Sequence, residues 1–157
     1  MGQGTTFTVV LPVEAHRAGG SAPASVTASP RSNAKSLLVV EDEADVASIL
    51  VEALARDGHH VEIACNGVEA LEKLSNRTYD LVLSDTRMPV MDGESFYAEM
   101  RRRFPTLRSR IIFLTGDVLN NEKRAFLERV GAPCLSKPYD LIEVRALVHR
   151  MLSDAAA

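Results

Sequence analysis

The sequence has few cysteines, which form the disulfides of small secreted domains, and no long apolar run of the kind that spans a membrane. It has no tryptophan and two isolated cysteines, Cys65 and Cys134, without a C-x-x-C pattern. We therefore predict reduced, buried thiols and no disulfide or metal site at these positions. No apolar run approaches the roughly 18 residues needed to span a bilayer, and the N-terminus lacks a basic-then-apolar signal. These absences predict a cytoplasmic domain that makes no membrane contact.

The chain also lacks an excess of positive charge. Its formal net charge is -3, and Arg101 to Arg103 form its one basic cluster, which we assign to the solvated end of a helix. Binding to nucleic acid draws on clustered Lys and Arg, so we predict no nucleic-acid partner. With 157 residues, 46% of them hydrophobic, the chain has enough for one domain with its own core and an appendage.

The appendage is N-terminal. Residues 1–14 contain one strand-like run, Thr5 to Leu11, and residues 15–34 are rich in Ala, Ser, Gly and Pro, which is typical of a flexible linker. A lone strand cannot bury its face, so this one pairs with something outside this chain, is disordered, or packs on the folded domain. We assign the folded domain to residues 35–153 and a short tail to 154–157.

From Ser36 onward, apolar runs alternate with helical periods. The predicted strands are Ser36 to Glu41, His60 to Ala64, a third ending at Asp85, Ile111 to Leu114, and Pro133 to Leu135. The predicted helices are Glu43 to Asp57, Gly67 to Asn76, Gly93 to Phe104, Asn120 to Val130, and Leu141 to Leu152. The inward faces expected on the first two helices are Val46, Ile49, Leu50, Ala53 and Leu54, and Val68, Leu71 and Leu74. This alternation predicts an α/β fold, a doubly wound five-stranded parallel sheet with helices on both faces.

Polar side chains stand where four of the strands end. Glu41 and Asp42 follow the first strand, Asp85 ends the third, Thr115 follows the fourth and Lys137 follows the fifth. In a doubly wound sheet these ends meet at one edge, where such folds bind ligands. We therefore expect the five residues to form one site.

The chemistry of that set favours phosphoryl transfer. Three crowded carboxylates repel one another unless a cation joins them, and a hard, all-oxygen cluster suits Mg2+ or Mn2+. Lys137 offers a point charge and Thr115 a hydroxyl for phosphoryl oxygens, which leaves Asp85 as the nucleophile that forms an aspartyl phosphate.

Each residue alone also has a plainer interpretation. Asp42 or Glu43 would suit the first helix as a cap, and Asp85 would serve as an ordinary residue at the start of a loop. Thr115 would belong to a turn, and Lys137 would be solvated. The joint placement at four strand ends favours a site.

The motifs that carry this site resemble a response-regulator receiver domain. They are Leu-Val-Val-Glu-Asp-Glu at 38–43, Asp-Thr-Arg-Met-Pro-Val-Met-Asp-Gly at 85–93, Leu-Thr-Gly at 114–116 and Ser-Lys-Pro-Tyr at 136–139. The resemblance covers nearly the whole domain. It implies a flavodoxin-like sheet of order 2-1-3-4-5.

The resemblance also implies a role for each site residue. Asp85 would be the phosphoacceptor, Asp42 and Asp85 direct metal ligands, Glu41 a ligand through water, and the Arg87 backbone carbonyl a further ligand. Thr115 would be the switch hydroxyl and Lys137 the phosphate-binding lysine, with a cis bond to Pro138. The implied partner is a histidine kinase or a histidine phosphotransfer protein. Such a chain is not a turnover enzyme, although it catalyses its own phosphotransfer and dephosphorylation.

The chain departs from the family pattern in two places. Receivers commonly have an aromatic residue three positions before the lysine, where this chain has Cys134, and the acid pair is Glu-Asp instead of Asp-Asp. Without an aromatic ring at position 134, phosphorylation must be coupled to the partner surface by another route. We also hypothesise that Arg87 and Asp117 form an ion pair across the mouth of the site and slow hydrolysis of the aspartyl phosphate; two solvated side chains are the alternative.

The N-terminal run has a resemblance of its own. Gly2 to Pro12 resembles the last glycine box and final strand of a histidine-kinase ATP-binding domain. This implies the C-terminal receiver of a hybrid sensor kinase. A freestanding receiver is the alternative.

Two further functions stay open at this point. One is a pseudo-receiver, a binding module that is never phosphorylated. The other is a haloacid-dehalogenase-type phosphatase, which wants a second Asp where this chain has Arg87.

Overall fold

The computed structural model describes residues 34–116 and 120–154. The strands are β1 (Ser36–Val40), β2 (His60–Ala64), β3 (Leu81–Asp85), β4 (Ile111–Thr115) and β5 (Cys134–Ser136). The helices are α1 (Ala44–Arg56), α2 (Gly67–Asn76), α3 (Gly93–Arg103), α4 (Asn121–Val130) and α5 (Leu141–Asp154), with a single 3-10 turn at Pro105–Leu107. The predicted linker and N-terminal strand lie outside the described residues, apart from position 34.

The five strands form one parallel sheet of order β2-β1-β3-β4-β5. The register places Leu38 beside Val82 on one side and beside Glu62 on the other. In this strand order β3 is the central strand, and all five of its residues are buried. The predicted doubly wound, flavodoxin-like sheet and its strand order are confirmed.

Alternation along the strands divides the interior into two cores. Leu38 and Val40 of β1 face one core, whereas Leu37 and Val39 face the other. The first core contains side chains of α2, α3 and α4, and its centre is three aromatic rings packed edge to face: Tyr97, Phe113 and Phe126. The second core contains side chains of α1 and α5, among them Leu50, Leu54, Val144 and Val148.

Local chemistry fixes most helix ends. Asn66, Asp92 and Asn120 cap α2, α3 and α4 through side-chain oxygens that accept backbone N–H groups. Gly131 ends α4 at φ 66°, a left-handed conformation that glycine adopts without a Cβ clash. Glu43, one of the two capping candidates, is the N-cap residue of α1, but its side chain makes no capping hydrogen bond.

Several details differ from the sequence prediction. Cys65 and Cys134 are free thiols as predicted, but both are exposed, so their predicted burial is wrong. Ile49 and Val68, predicted to face inward, are 52% and 47% exposed, because the sheet covers only a narrow stripe of α1 and α2. The 3-10 turn was not predicted. β5 starts one residue later than predicted and α5 runs two residues further, while the other ends differ by at most one residue.

Candidate functional site

The carboxyl end of the sheet brings together charged side chains from three strands. Lys137 Nζ, just after β5, donates to Glu41 Oε2 at 3.0 Å and to Asp85 Oδ2 at 2.6 Å. Glu41 follows β1, and Asp85 ends the neighbouring central strand. These residues are 96 and 52 positions from Lys137 in the chain. The sheet topology therefore assembles the cluster that the sequence predicts.

Asp42 completes a group of three carboxylates. Ligand oxygens of Glu41, Asp42 and Asp85 all lie within 4.8 Å of one another. Glu41 and Asp85 are buried, at 1% and 5% exposure, whereas Asp42 is exposed. An all-oxygen set that is open to solvent on one side fits a hard divalent cation that keeps several waters. The donor set therefore fits Mg2+ or Mn2+.

The electrostatics of the cluster leave negative charge in excess. Burial raises the pKa of Glu41, and the nearby charge of Asp85 adds to this, although the hydrogen bond from Lys137 opposes it. Burial opposes the charge on Lys137, but its hydrogen bonds to Asp85 and Glu41 outweigh burial and raise its pKa. Lys137 therefore stays protonated at neutral pH. One lysine cannot neutralise three carboxylates, so a cation or an incoming electrophile is favoured here.

The loop between β3 and α3 is held tightly against the acceptor carboxylate. The Arg87 backbone N–H donates to Asp85 Oδ1 at 2.9 Å, and the Gly93 N–H donates to the Thr86 carbonyl at 3.2 Å. A Cβ on Gly93 would come within 2.5 Å of the Asp85 carbonyl oxygen. Only glycine fits at this position without moving the loop.

Thr115, the last residue of β4, contacts Lys137 and the chain neighbour of Asp85. It is fully buried, and its carbonyl accepts the Lys137 N–H at 2.6 Å, which links β4 to the start of the lysine loop. Its hydroxyl oxygen accepts a hydrogen bond from the hydroxyl of Thr86 at 3.2 Å. The sequence gives no signal for Thr86, because a threonine beside a candidate acceptor carries no motif of its own.

A second contact was also missed. Lys123 Nζ, on the first turn of α4, donates to the Thr86 carbonyl at 3.2 Å. Lys123 and Thr86 are 37 residues apart, and only the folded loops bring them together. No sequence signal marks this lysine among its charged neighbours.

Three residues are proposed to modulate the site: Arg87, Asp117 and Cys134. The Arg87 side chain is exposed and reaches over Gly116, where an added Cβ would lie 3.3 Å from Arg87 Nη2. Asp117, its proposed partner, lies outside the described residues. Cys134 is exposed on the edge strand β5, and the Lys137–Pro138 peptide is cis as predicted.

Comparison with known proteins identifies the family. Residues 37–149 match the family model of the response regulator receiver domain, and the chain belongs to this family. Sensor kinase CckA of Brucella abortus is 34% identical over 161 residues, which cover 97% of this chain and 17% of that protein. The DNA-binding transcriptional regulator NtrC of Escherichia coli K12 is 35% identical over 115 residues, covering 73% and 24%. The chain thus spans a quarter or less of these relatives.

A solved structure gives the same assignment. The receiver domain of sensor histidine kinase PA1611 from Pseudomonas aeruginosa, with a magnesium ion coordinated in its active-site cleft, superposes with a TM-score of 0.69 at 28% identity. The match covers 76% of this chain and 98% of that one. This chain is therefore a receiver domain of two-component signalling. Receiver domains of these systems interact with histidine kinases or phosphotransfer proteins.

Among residues 34–116 and 120–154, every helix is too short or too polar to cross a bilayer.

Proposed function

We propose that this receiver accepts a phosphoryl group from a phosphohistidine onto Asp85 in the presence of Mg2+ or Mn2+. One observation carries the proposal: Asp85 accepts a hydrogen bond from Lys137 Nζ at 2.6 Å, and its carboxylate oxygen lies within 4.8 Å of those of Glu41 and Asp42. This set provides a nucleophile, a cation for phosphoryl oxygens and oxygen ligands for a metal.

The residues divide the work of the transfer. A carboxylate oxygen of Asp85 attacks phosphorus in line, the P–N bond of the phosphohistidine breaks, and the imidazole leaves with the electron pair and is protonated by solvent. Lys137 exchanges its bond with Asp85 for a phosphoryl oxygen, and the Thr115 hydroxyl donates to another. Asp42, Asp85 and the Arg87 carbonyl would hold the metal directly and Glu41 through water. The bound metal would supply positive charge against the phosphoryl oxygens.

The signal passes from a phosphodonor to the domain and from the domain to a partner protein. The donor is a histidine kinase or a phosphotransfer protein, and phosphorylation shifts an existing equilibrium between two arrangements of the domain, which changes the surface offered to a partner. The domain works in the cytoplasm, and it catalyses its own dephosphorylation. The 97% coverage in the match with the sensor kinase CckA supports an origin within a hybrid sensor kinase, with residues 1–14 as the end of its catalytic domain.

Intact mass spectrometry tests the phosphoacceptor. The wild type and Asp85→Asn are incubated with acetyl phosphate, with Mg2+ or with EDTA. We expect one phosphoryl adduct in the wild type with Mg2+, and none in the variant or with EDTA. A folded wild type that gains no adduct would favour the pseudo-receiver.

The Arg87–Asp117 ion pair is a separate proposal about the lifetime of the adduct. The position of the Arg87 guanidinium over Gly116, one residue before Asp117, supports it. The mass measurement followed over time should show faster loss of the adduct in Arg87→Ala. Equal rates in Arg87→Ala and the wild type would reject the pair.

A further inference from the structure

Thr86 is a buried junction next to the acceptor. It is 1% exposed, and each of its polar groups is engaged. Its N–H donates to the Leu114 carbonyl at 3.0 Å and its hydroxyl to the Thr115 hydroxyl at 3.2 Å. Its carbonyl accepts from the Gly93 N–H and from Lys123 Nζ, both at 3.2 Å. One residue thus contacts β4, the switch hydroxyl, the start of α3 and the first turn of α4.

Lys123 ties α4 to this junction. Its side chain is partly buried, and the bond to the Thr86 carbonyl is charge-assisted, a stronger type than a neutral hydrogen bond. Among the described residues, the salt bridge between α4 and the neighbouring α3 is Arg129–Glu94 at 3.2 Å, whose side chains are 70% and 46% exposed. Exposed pairs of that kind contribute little. Of these two contacts, the bond to Thr86 is the one that holds the first turn of α4.

The bond between the two hydroxyls is easily broken. At 3.2 Å it is already longer than a typical O–H···O hydrogen bond, so a displacement of the Thr115 hydroxyl by about 1 Å toward a phosphoryl group on Asp85 would break it. The Thr86 hydroxyl would then be a buried donor without its acceptor, a state that favours reorientation of the residue. Where this reorientation extends to the Thr86 backbone, it also moves the carbonyl that accepts from Lys123.

We propose that Thr86 and Lys123 are positioning residues that relay phosphorylation of Asp85 to α4. In the unphosphorylated domain, the hydroxyl bond holds Thr86, and its carbonyl holds Lys123 and the first turn of α4. Phosphorylation draws Thr115 away, Thr86 reorients, the Lys123 bond is lost and the start of α4 is released. The relay rests on the proposed function, since Thr115 moves only if a phosphoryl group arrives. It gives the domain a coupling route that needs no aromatic ring at Cys134.

Hydrogen exchange of the α4 amides tests the relay. The wild type, Thr86→Val and Lys123→Met are compared with Mg2+ alone and with Mg2+ and acetyl phosphate, and intact mass records the adduct in each sample. Arg124→Met is the matched control, since Arg124 is the next residue and pairs with Glu128 of the same helix at 3.0 Å. Lys123→Arg is the conservative variant that retains a charged donor.

We expect phosphorylation to speed exchange in the first turns of α4 about tenfold in the wild type, the size expected for loss of one charge-assisted bond. Unphosphorylated Lys123→Met should already exchange at that rate and respond little to phosphorylation. Thr86→Val should gain the adduct but show a much smaller response in α4. Arg124→Met and Lys123→Arg should respond as the wild type does.

The outcomes separate a relay from a structural role. If Lys123→Met speeds exchange equally in both states and keeps the tenfold response, Lys123 only braces the helix, and the relay is wrong. A wild-type response that persists in Thr86→Val also overturns it, as does a wild type that gains the adduct without any change in α4. If the wild type gains no adduct in the mass record, the proposed phosphorylation of Asp85 is wrong, and the relay that depends on it is wrong as well. If Thr86→Val does not fold, the partly exposed Lys123 still decides the question.

Discussion

The two ends of the β-sheet use charged side chains in opposite ways. At the carboxyl end, Glu41 and Asp85 are buried beside one lysine, and Asp42 adds a third negative charge. At the amino end, Asp80 accepts the Ser36 N–H at 2.9 Å and lies 3.9 Å from Lys35. The carboxyl end holds like charges together at a cost in stability. The amino end instead pairs opposite charges at the surface. Such clustering of like charge is typical of functional sites.

The largest effect should come from crowding the carboxyl end. We expect Gly93→Ala to lower the free energy of unfolding by about 3 kcal/mol, because its Cβ would press on the Asp85 carbonyl, 2.5 Å away, and force the loop to move. Phosphorylation should slow as well. Denaturant unfolding and the rate of adduct formation measure both effects.

Gly116→Ala is the control for that change. Its Cβ would meet only the flexible end of the Arg87 side chain, at 3.3 Å, so we expect a loss below about 1 kcal/mol. Equal losses in the two variants would show that the loop at Gly93 yields more easily than the geometry indicates.

A smaller effect, opposite in sign at the two ends, should follow from removing one negative charge. Without Mg2+, Asp85→Asn should raise the free energy of unfolding by about 1 kcal/mol, because it relieves repulsion while Lys137 keeps Glu41 at 3.0 Å. Asp80→Asn should lower it by about 0.5 kcal/mol, because its pair with Lys35 is lost. Unfolding curves with EDTA measure both.

The same curves test the metal site. Mg2+ should raise the unfolding midpoint of the wild type, since a ligand that binds only the folded state stabilises it, and should raise that of Asp85→Asn much less. A destabilised Asp85→Asn in EDTA would mean that the bond from Lys137 outweighs the repulsion.

The smallest effect concerns pH and the amino end. His59, just before β2, has its Nδ1 buried without a partner among the described residues. Burial lowers the pKa of His59 below its ordinary value, although Asp57 and Asp80 oppose this; His149 and Lys35 also face it and lower the pKa further. The unfolded chain therefore binds the proton at a higher pH than the folded domain does. The stability from neutral His59 is present above about pH 6.5 and is lost as the pH falls through that value toward the folded pKa.

Unfolding between pH 7.5 and 5.5 measures this loss. We expect His59→Gln to remove a decrease of under about 1 kcal/mol that the wild type shows over this range. His60→Gln, at the exposed neighbouring position, should keep the decrease. The same slope in His59→Gln and the wild type would place the titrating group elsewhere.

The residues at the ends of the strands are the part of the molecule that the sequence predicts best. A parallel strand buried on both faces reads as an apolar run, so the positions after it, such as Asp85 and Lys137, are fixed once the runs are found. The buried faces of the helices are harder to predict, because one helical period of apolar residues is compatible with a wide or a narrow buried stripe. Ile49 and Val68, predicted to face inward, are exposed. The Lys123–Thr86 contact could not be predicted, because it depends on where a flexible side chain reaches after two loops have folded.

The sheet that separates the two cores has a consequence for how such domains diversify. Phe126 and Leu127 anchor α4 in the core shared with α2 and α3, whereas Val144 and Val148 anchor α5 in the core shared with α1. A shift or repacking of α4 is therefore absorbed on one side of β1, β3 and β4. Substitutions that retune one helical layer can accumulate over generations while the opposite layer keeps its packing, so the two faces are free to evolve toward different neighbours.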